Sequence, residues 1–137
     1  MTNRDWATIG RRAGLCLAVI VFGLALRGFG YSLELSFFVV KYGGSVLWGM
    51  ALFLFVAICA ARQPLRNTAW ISLSIAVCVE LSRLVHTPWL DAFRLTLPGA
   101  LLLGRVFSPS NILAYGLGVA LGVTLLKCLD RRVLSLH

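Results

Sequence analysis

Apolar runs close to membrane length constrain the fold of this chain more than any other feature. There are four: about Ala13 to Phe29, Tyr42 to Ala61, Thr68 to Val85 and Ile112 to Leu129. A helix crossing about 30 Å of hydrocarbon needs about 20 mostly apolar residues. In lipid a single helix satisfies its own backbone, whereas strands must close into a barrel, so helices are expected throughout. Composition agrees. Of the 137 residues, 59% are hydrophobic and 13% charged, and the mean hydropathy is +0.88. Soluble domains average about 45–50% and about 25%. The expectation is an all-α membrane protein with a single domain over residues 1–137. It would be a four-helix transmembrane bundle with spans 13–29, 42–61, 68–85 and 112–129.

The links between the runs refine this plan. ARQPLRN is short and polar and holds Pro64, so the second and third helices should form an antiparallel hairpin. SLELSFFVVK, ahead of the second run, is amphipathic and aromatic and suits an interfacial segment. Between the third and fourth runs, LPGALLLG is apolar but too short to span. It is expected as a short interfacial or re-entrant segment between helices three and four. The basic start MTNRDWATIGRRAG leads into LRGFGYSLEL with no small-residue cleavage site, which points to a retained first helix. Ala114, Gly118 and Gly122 recur at four-residue spacing, as do Ser45 and Gly49. Small residues so spaced let helices approach closely in lipid, here most simply helices of the same chain rather than of a dimer.

The net charge is +8, from 13 Lys and Arg against 5 Asp and Glu. Apolar segments separate the basic residues, so no stripe for nucleic acid forms. Membrane topology and anionic lipid account for them better. With four spans, one side collects Arg4, Arg11, Arg12, Arg62, Arg66, Lys127, Arg131 and Arg132. The other has Arg27, Lys41, Arg83, Arg94 and Arg105. The positive-inside rule then puts both termini in the cytoplasm, for a multi-pass membrane protein. Trp89 would anchor the outer interface. Cys16, Cys59, Cys78 and Cys128 form no CxxC pair and meet no histidine at zinc spacing. They are expected as small buried hydrophobes, with no metal and no cofactor.

The third run ends in VELSRLVHTPWLDAFR, which gathers Glu80, Arg83, His86, Asp91 and Arg94. Glu80 lies about 9 Å below the helix end at about 1.5 Å per residue. A lone carboxylate at that depth costs about 3 kcal/mol on insertion scales. It is expected to pair with Arg83, Arg27 or Arg94. One account of the cluster is structural: Glu80, Asp91, His86, Arg27 and Lys41, with Glu34, tie the outer loops to the bundle. The other is a site in which Arg83, Arg94 and Arg105 cradle the anionic head group of a membrane lipid, a phospholipid or a polyprenyl phosphate. Tyr115 and Asn111 would add hydrogen bonds, Asp91 would orient Arg94, and LPGALLLG would take the tail. Glu80, His86 and Asp91 are acid–base types. No HExxH, GxSxG or phosphate-loop pattern accompanies them, so no catalytic residue is assigned.

These residues also carry a resemblance. It rests on Glu80-Leu81, on Pro88-Trp89-Leu90-Asp91 with Arg94, and on Leu103-Gly104 ahead of Phe107. Leu113-Ala114-Tyr115 with Gly118, and YGGSVLWG opening the second run, complete it. Together they resemble a family of small bacterial membrane proteins known only as a domain of unknown function, similar in plan to the VanZ-like proteins. The likeness runs from about Lys41 to Gly122. It implies the polytopic fold and the outer-face site, and no reaction. VanZ-like proteins are linked to glycopeptide (teicoplanin) resistance, which by analogy points to envelope lipids. Two positions depart from the family pattern: Arg83 stands where Gln is usual and Asn111 where Asp is usual, and both changes make the site more cationic. The functional expectation is a small integral membrane protein of the bacterial envelope that binds an anionic lipid or lipid-linked head group at its outer face. The alternatives are a non-catalytic subunit of a larger complex, with a membrane-protein partner or a second copy, and an enzyme acting on a lipid-linked substrate.

Overall fold

A computed structural model of the chain describes the backbone of residues 3–104 and 106–135, and the side chains of 5–104 and 106–131. Within these the chain is helical, with no strand: α1 (Asn3–Phe29), α2 (Phe37–Cys59), α3 (Leu65–Ser82), α4 (Pro88–Leu95), α5 (Leu97–Leu102) and α6 (Pro109–Ser135). Ser36 caps α2 by accepting the N–H of Val39 at 3.4 Å. FFVVK therefore forms the start of α2, continuous with the rest of that helix. The link expected to hold one short segment holds two helices, α4 and α5, each with a proline in its first turn. Thr96 separates them and caps α5, its hydroxyl accepting the N–H of Gly99 at 3.2 Å. Gly104, at φ +69°, follows the C-cap of α5 in the left-handed conformation that a side chain disfavours.

The four long helices share a centre made by α2 and α6. α3 packs on both, and α1 packs along α2. Chain direction is fixed at the two ends. At one end Arg12 of α1 donates to the carbonyls of Ala57 (2.7 Å) and Ala61 (3.4 Å), which close α2. Arg11 pairs there with Asp130, late in α6. At the other end Arg27 of α1 lies over Gly44 of α2. Ser45 donates to Asn111 of α6, and Tyr115 of α6 donates to Glu80 of α3. α2 and α6 therefore run parallel, and α1 and α3 run opposite to them.

Small residues set the closeness of α2 and α6. A Cβ on Gly49 would lie 2.6 Å from the carbonyl oxygen of Tyr115, and one on Gly118 2.8 Å from the amide nitrogen of Met50. The glycines read from their spacing thus pack helices within the chain. Below them, Phe53, Leu54, Ala57, Val119, Leu126 and Cys16 form the buried core. Only Cys16 among the cysteines is there. Cys59, Cys78 and Cys128 are exposed, which corrects the expectation of four buried hydrophobes, and all four are free thiols.

Three helices are long and apolar enough to cross a membrane: Asp5–Phe29, Phe37–Cys59 and Pro109–Arg131. Their outward faces carry large apolar side chains, with Leu17 63% and Leu113 78% exposed. A water-facing surface of that kind would be an aggregation hazard. α3, with 18 residues, is not among the three. Its polar residues lower its average, yet they face inward. Thr68, Ser72, Ala76 and Glu80 form one buried stripe at four-residue spacing, while Trp70, Ile71, Ile75 and Leu81 are exposed. The Thr68 and Ser72 hydroxyls donate one turn back, to the carbonyls of Pro64 (3.3 Å) and Thr68 (2.8 Å), so neither is left unsatisfied.

Candidate functional site

The stripe on α3 delivers Glu80 between α3 and α6 with no exposed surface at all. A buried carboxylate must be matched by donors, and here both oxygens are. Arg83, one turn on, pairs with Oε2 at 2.6 Å, and the Tyr115 hydroxyl donates to the same oxygen at 2.9 Å. The backbone N–H of Ser108 donates to Oε1 at 2.7 Å, and the Asn111 amide at 3.4 Å. Arg83 has further partners. It donates to the Tyr115 hydroxyl at 3.1 Å and to the carbonyls of Leu103 (2.5 Å) and Val106 (3.2 Å). The pair thus ties the end of α3 to the start of α6 and to the link before it. Gly104 lies flat against this guanidinium, since a Cβ there would come within 2.6 Å of Nη2. The expected pairing of Glu80 with Arg83 is present. The backbone partners were invisible in the sequence, because an N–H or C=O has no residue signature.

A second cluster sits beside the first. Arg94 of α4 is buried and donates to the carbonyls of Ser82 and Val85 (2.9 Å for the latter), just where α3 runs out of intrahelical partners. It also donates to Asp91 at 3.1 Å. His86 Nδ1 lies 3.4 Å from the same carboxylate, and its side chain is 69% exposed. Arg94 therefore braces α4 over the end of α3, and it is not on the wall of the cavity that Arg83 lines. Asp91 does stand where it orients Arg94. Arg105, the third arginine of that expected cradle, lies outside the described residues.

Arg83 instead shares a cavity with two cations from other helices. The cavity is about 420 Å³, between the end of α1, the start of α2, the α5–α6 link and α6. Arg27, Tyr31, Lys41, Ser45, Arg83, Asn111 and Tyr115 line it. Arg27 and Lys41 make no ion pair among the described residues. Lys41 Nζ lies 5.5 Å and 5.3 Å from the ring centres of Phe37 and Tyr42, which attract a cation without neutralising it. Arg27 also lines a second cavity of about 520 Å³ that is otherwise apolar, walled by residues of α1, α2 and α5 such as Ile20, Leu47, Phe55 and Leu101. No group of His, Cys, Asp or Glu among the described residues is placed to hold a metal ion. The arrangement offers fixed positive charge and hydrogen-bond donors beside an apolar slot. Both oxygens of Glu80 are taken by their own partners.

No solved structure matches this chain. A family described as "protein of unknown function (DUF2809)" matches it over residues 35–119, close to the stretch 41–122 read from the motifs. The matched region runs from the start of α2 into α6. It takes in Lys41, Glu80, Arg83, Asn111 and Tyr115, and leaves Arg27 outside. By that match, over more than half of its length, the chain belongs to this family of unknown function.

Proposed function

We propose that this protein is a small multi-pass protein of the bacterial inner membrane whose outer-face cavity binds an anionic lipid head group. The observation that carries the reading is the pair of cations, Arg27 and Lys41, on one cavity with no carboxylate among the described residues to meet them. Arg83 adds positive potential there but is itself matched by Glu80. The surplus suits a phosphate, which accepts charge-assisted hydrogen bonds from arginine in a bidentate manner and from lysine as a point charge. Asn111, whose amide has a second N–H beyond the one given to Glu80, lines the same wall, whereas the Tyr115 hydroxyl proton is already given to Glu80. A phospholipid or a polyprenyl phosphate presents this chemistry, and the VanZ-like plan of the motifs points by analogy to envelope lipids.

The membrane placement rests on connectivity. α2 and α6 run parallel, so the chain between them must return across the same thickness, and α3 is the segment that does so. At about 1.5 Å per residue its 18 residues rise about 27 Å, close to the hydrocarbon thickness. Trp6 and Trp70 lie toward one end and Trp89, Phe37 and Phe38 at the other, where amphipathic and aromatic rings meet head groups. The end with Arg11, Arg12, Arg62 and Arg66 is the cytoplasmic one by the positive-inside rule.

Native mass spectrometry of the full chain, extracted with its lipids in a mild detergent, tests the head-group site. The wild type is expected to carry a phosphate-headed lipid. Arg27→Gln with Lys41→Gln is expected to lower that occupancy at least tenfold, with the unfolding temperature little changed because neither residue is paired. Unchanged occupancy in the double variant removes the proposal.

A further inference from the structure

We infer that the bound lipid belongs to the outer leaflet, with one hydrocarbon chain lying in the apolar cavity between α1, α2 and α5 while its phosphate meets Arg27 and Lys41. This rests on the head-group reading above and adds the path of the chain. Arg27 lines both cavities, so the polar and apolar sites meet at one guanidinium. Gly44 makes the junction: a Cβ there would lie 2.9 Å from Arg27 Nε, so only a glycine lets the side chain lie over α2 at that level.

The dimensions select the occupant. Along α1 the apolar cavity runs from Arg27 to Cys16. At about 1.5 Å per residue that is about 16 Å, near half of the roughly 30 Å of hydrocarbon, or one leaflet. Spread over that length, the 520 Å³ gives a cross-section of about 30 Å². An extended hydrocarbon chain can lie within so narrow a slot, whereas a helix about 10–12 Å across, with a section of about 80–110 Å², is wider than the slot. Entry is from the side. α1 packs along α2 and reaches α6 through the Arg11–Asp130 pair, at the far end from Arg27. Apart from Arg27, the lining carries no charged group, and Gly23, Leu47, Ala51, Phe55 and Leu101 are among its residues.

Gly23 provides the handle. A Cβ there would meet only Leu47, at 3.5 Å and 3.9 Å, so a large side chain can grow into the cavity from the α1 wall. The experiment uses the full chain in phosphatidylcholine nanodiscs doped with phosphatidylglycerol or with undecaprenyl phosphate. Lipid retained after gentle ejection is counted by native mass spectrometry. The wild type is expected to keep one anionic lipid in preference to phosphatidylcholine, whose phosphate is neutralised by its own choline, and the doped lipid that is kept identifies the source. Gly23→Phe is expected to lower retention at least tenfold, and Ala51→Leu, from the opposite wall, to do the same should Gly23→Phe not fold. Excess inorganic phosphate, a head group without a chain, is expected not to displace the lipid. Wild-type retention in both cavity-filling variants overturns the chain path, and if Arg27→Gln with Lys41→Gln still loses the lipid the head-group reading survives. Loss in the cavity-filling variants with normal retention in the charge double variant does the reverse. No preference over phosphatidylcholine overturns both.

Discussion

Glu80 and Arg83 show what a charge inside such a molecule requires. The carboxylate has no exposed surface, and the arginine 9%. Each is held by the other and by further hydrogen bonds to Tyr115, Asn111, Ser108, Leu103 and Val106. Removing one partner of a buried pair leaves the other charge without compensation, which costs about 3–5 kcal/mol. Glu80→Gln is therefore expected to destabilise the protein by about that much. Arg83→Gln should cost at least as much, since it also deserts two backbone carbonyls. The double variant should cost clearly less than the two singles together, because it buries no unpaired charge. Unfolding of the four proteins in detergent measures the cycle. Simple additivity would mean that Glu80 and Arg83 do not act as a pair. Arg94 follows the same logic with different partners, closing the carbonyl end of α3.

Among the elements, the parallel α2–α6 contact is the closest, and it depends on missing side chains. At Gly118 a Cβ would meet the backbone of Val46 and Met50, which cannot step aside as a side chain can. Gly118→Ala must push the helices apart, and overpacking of this kind costs about 1–3 kcal/mol. Gly116, two residues earlier on the same helix, has nothing within 4 Å of its Cβ position. Gly116→Ala is expected to be neutral or to stabilise by up to about 1 kcal/mol through helix propensity. Thermal unfolding of the two variants side by side makes the comparison, and equal effects would show that helix propensity outweighs the contact. α3 teaches a related lesson. Averaging hydropathy around a helix hides the fact that its inward stripe is polar and its outward face apolar.

On the scale of the whole molecule, chain direction has a consequence for topology. If α3 crosses the membrane together with α1, α2 and α6, the α2–α3 link and the C-terminus share a side opposite the α4–α5 turn. Compartment-sensitive reporters fused near Gln63 and after His137 are expected to read cytoplasmic, and one inserted near Thr96 to read the outer compartment. The same compartment for Gln63 and Thr96 would mean that α3 does not cross. The charged ends serve this arrangement. Arg12 ties α1 to carbonyls at the end of α2, and the Glu80 cluster ties α3 to α6 at the other end, so polar contacts staple the helices at both ends.

Helical class, the three most apolar helices and the Glu80–Arg83 pair were legible in the residues alone. Each depends on something local: the length of an apolar run, or two side chains one helical turn apart. The spacing of Gly49 and Gly118 announced a close approach as well, since glycine at that period has few other uses. The roles of the remaining cations were not legible. Arg94 and Lys41 look alike as charges in a string of letters, yet Arg94 is buried on the carbonyls of Ser82 and Val85, while Lys41 stands at a cavity with no carboxylate partner. Arg27 comes from a different helix and reaches both cavities only because α1 runs antiparallel to α2 over Gly44. A charge takes its role from whatever acceptor lies within about 3 Å of it. That is decided by how helices distant in the chain are set side by side, so tertiary structure alone could separate the braces from the site.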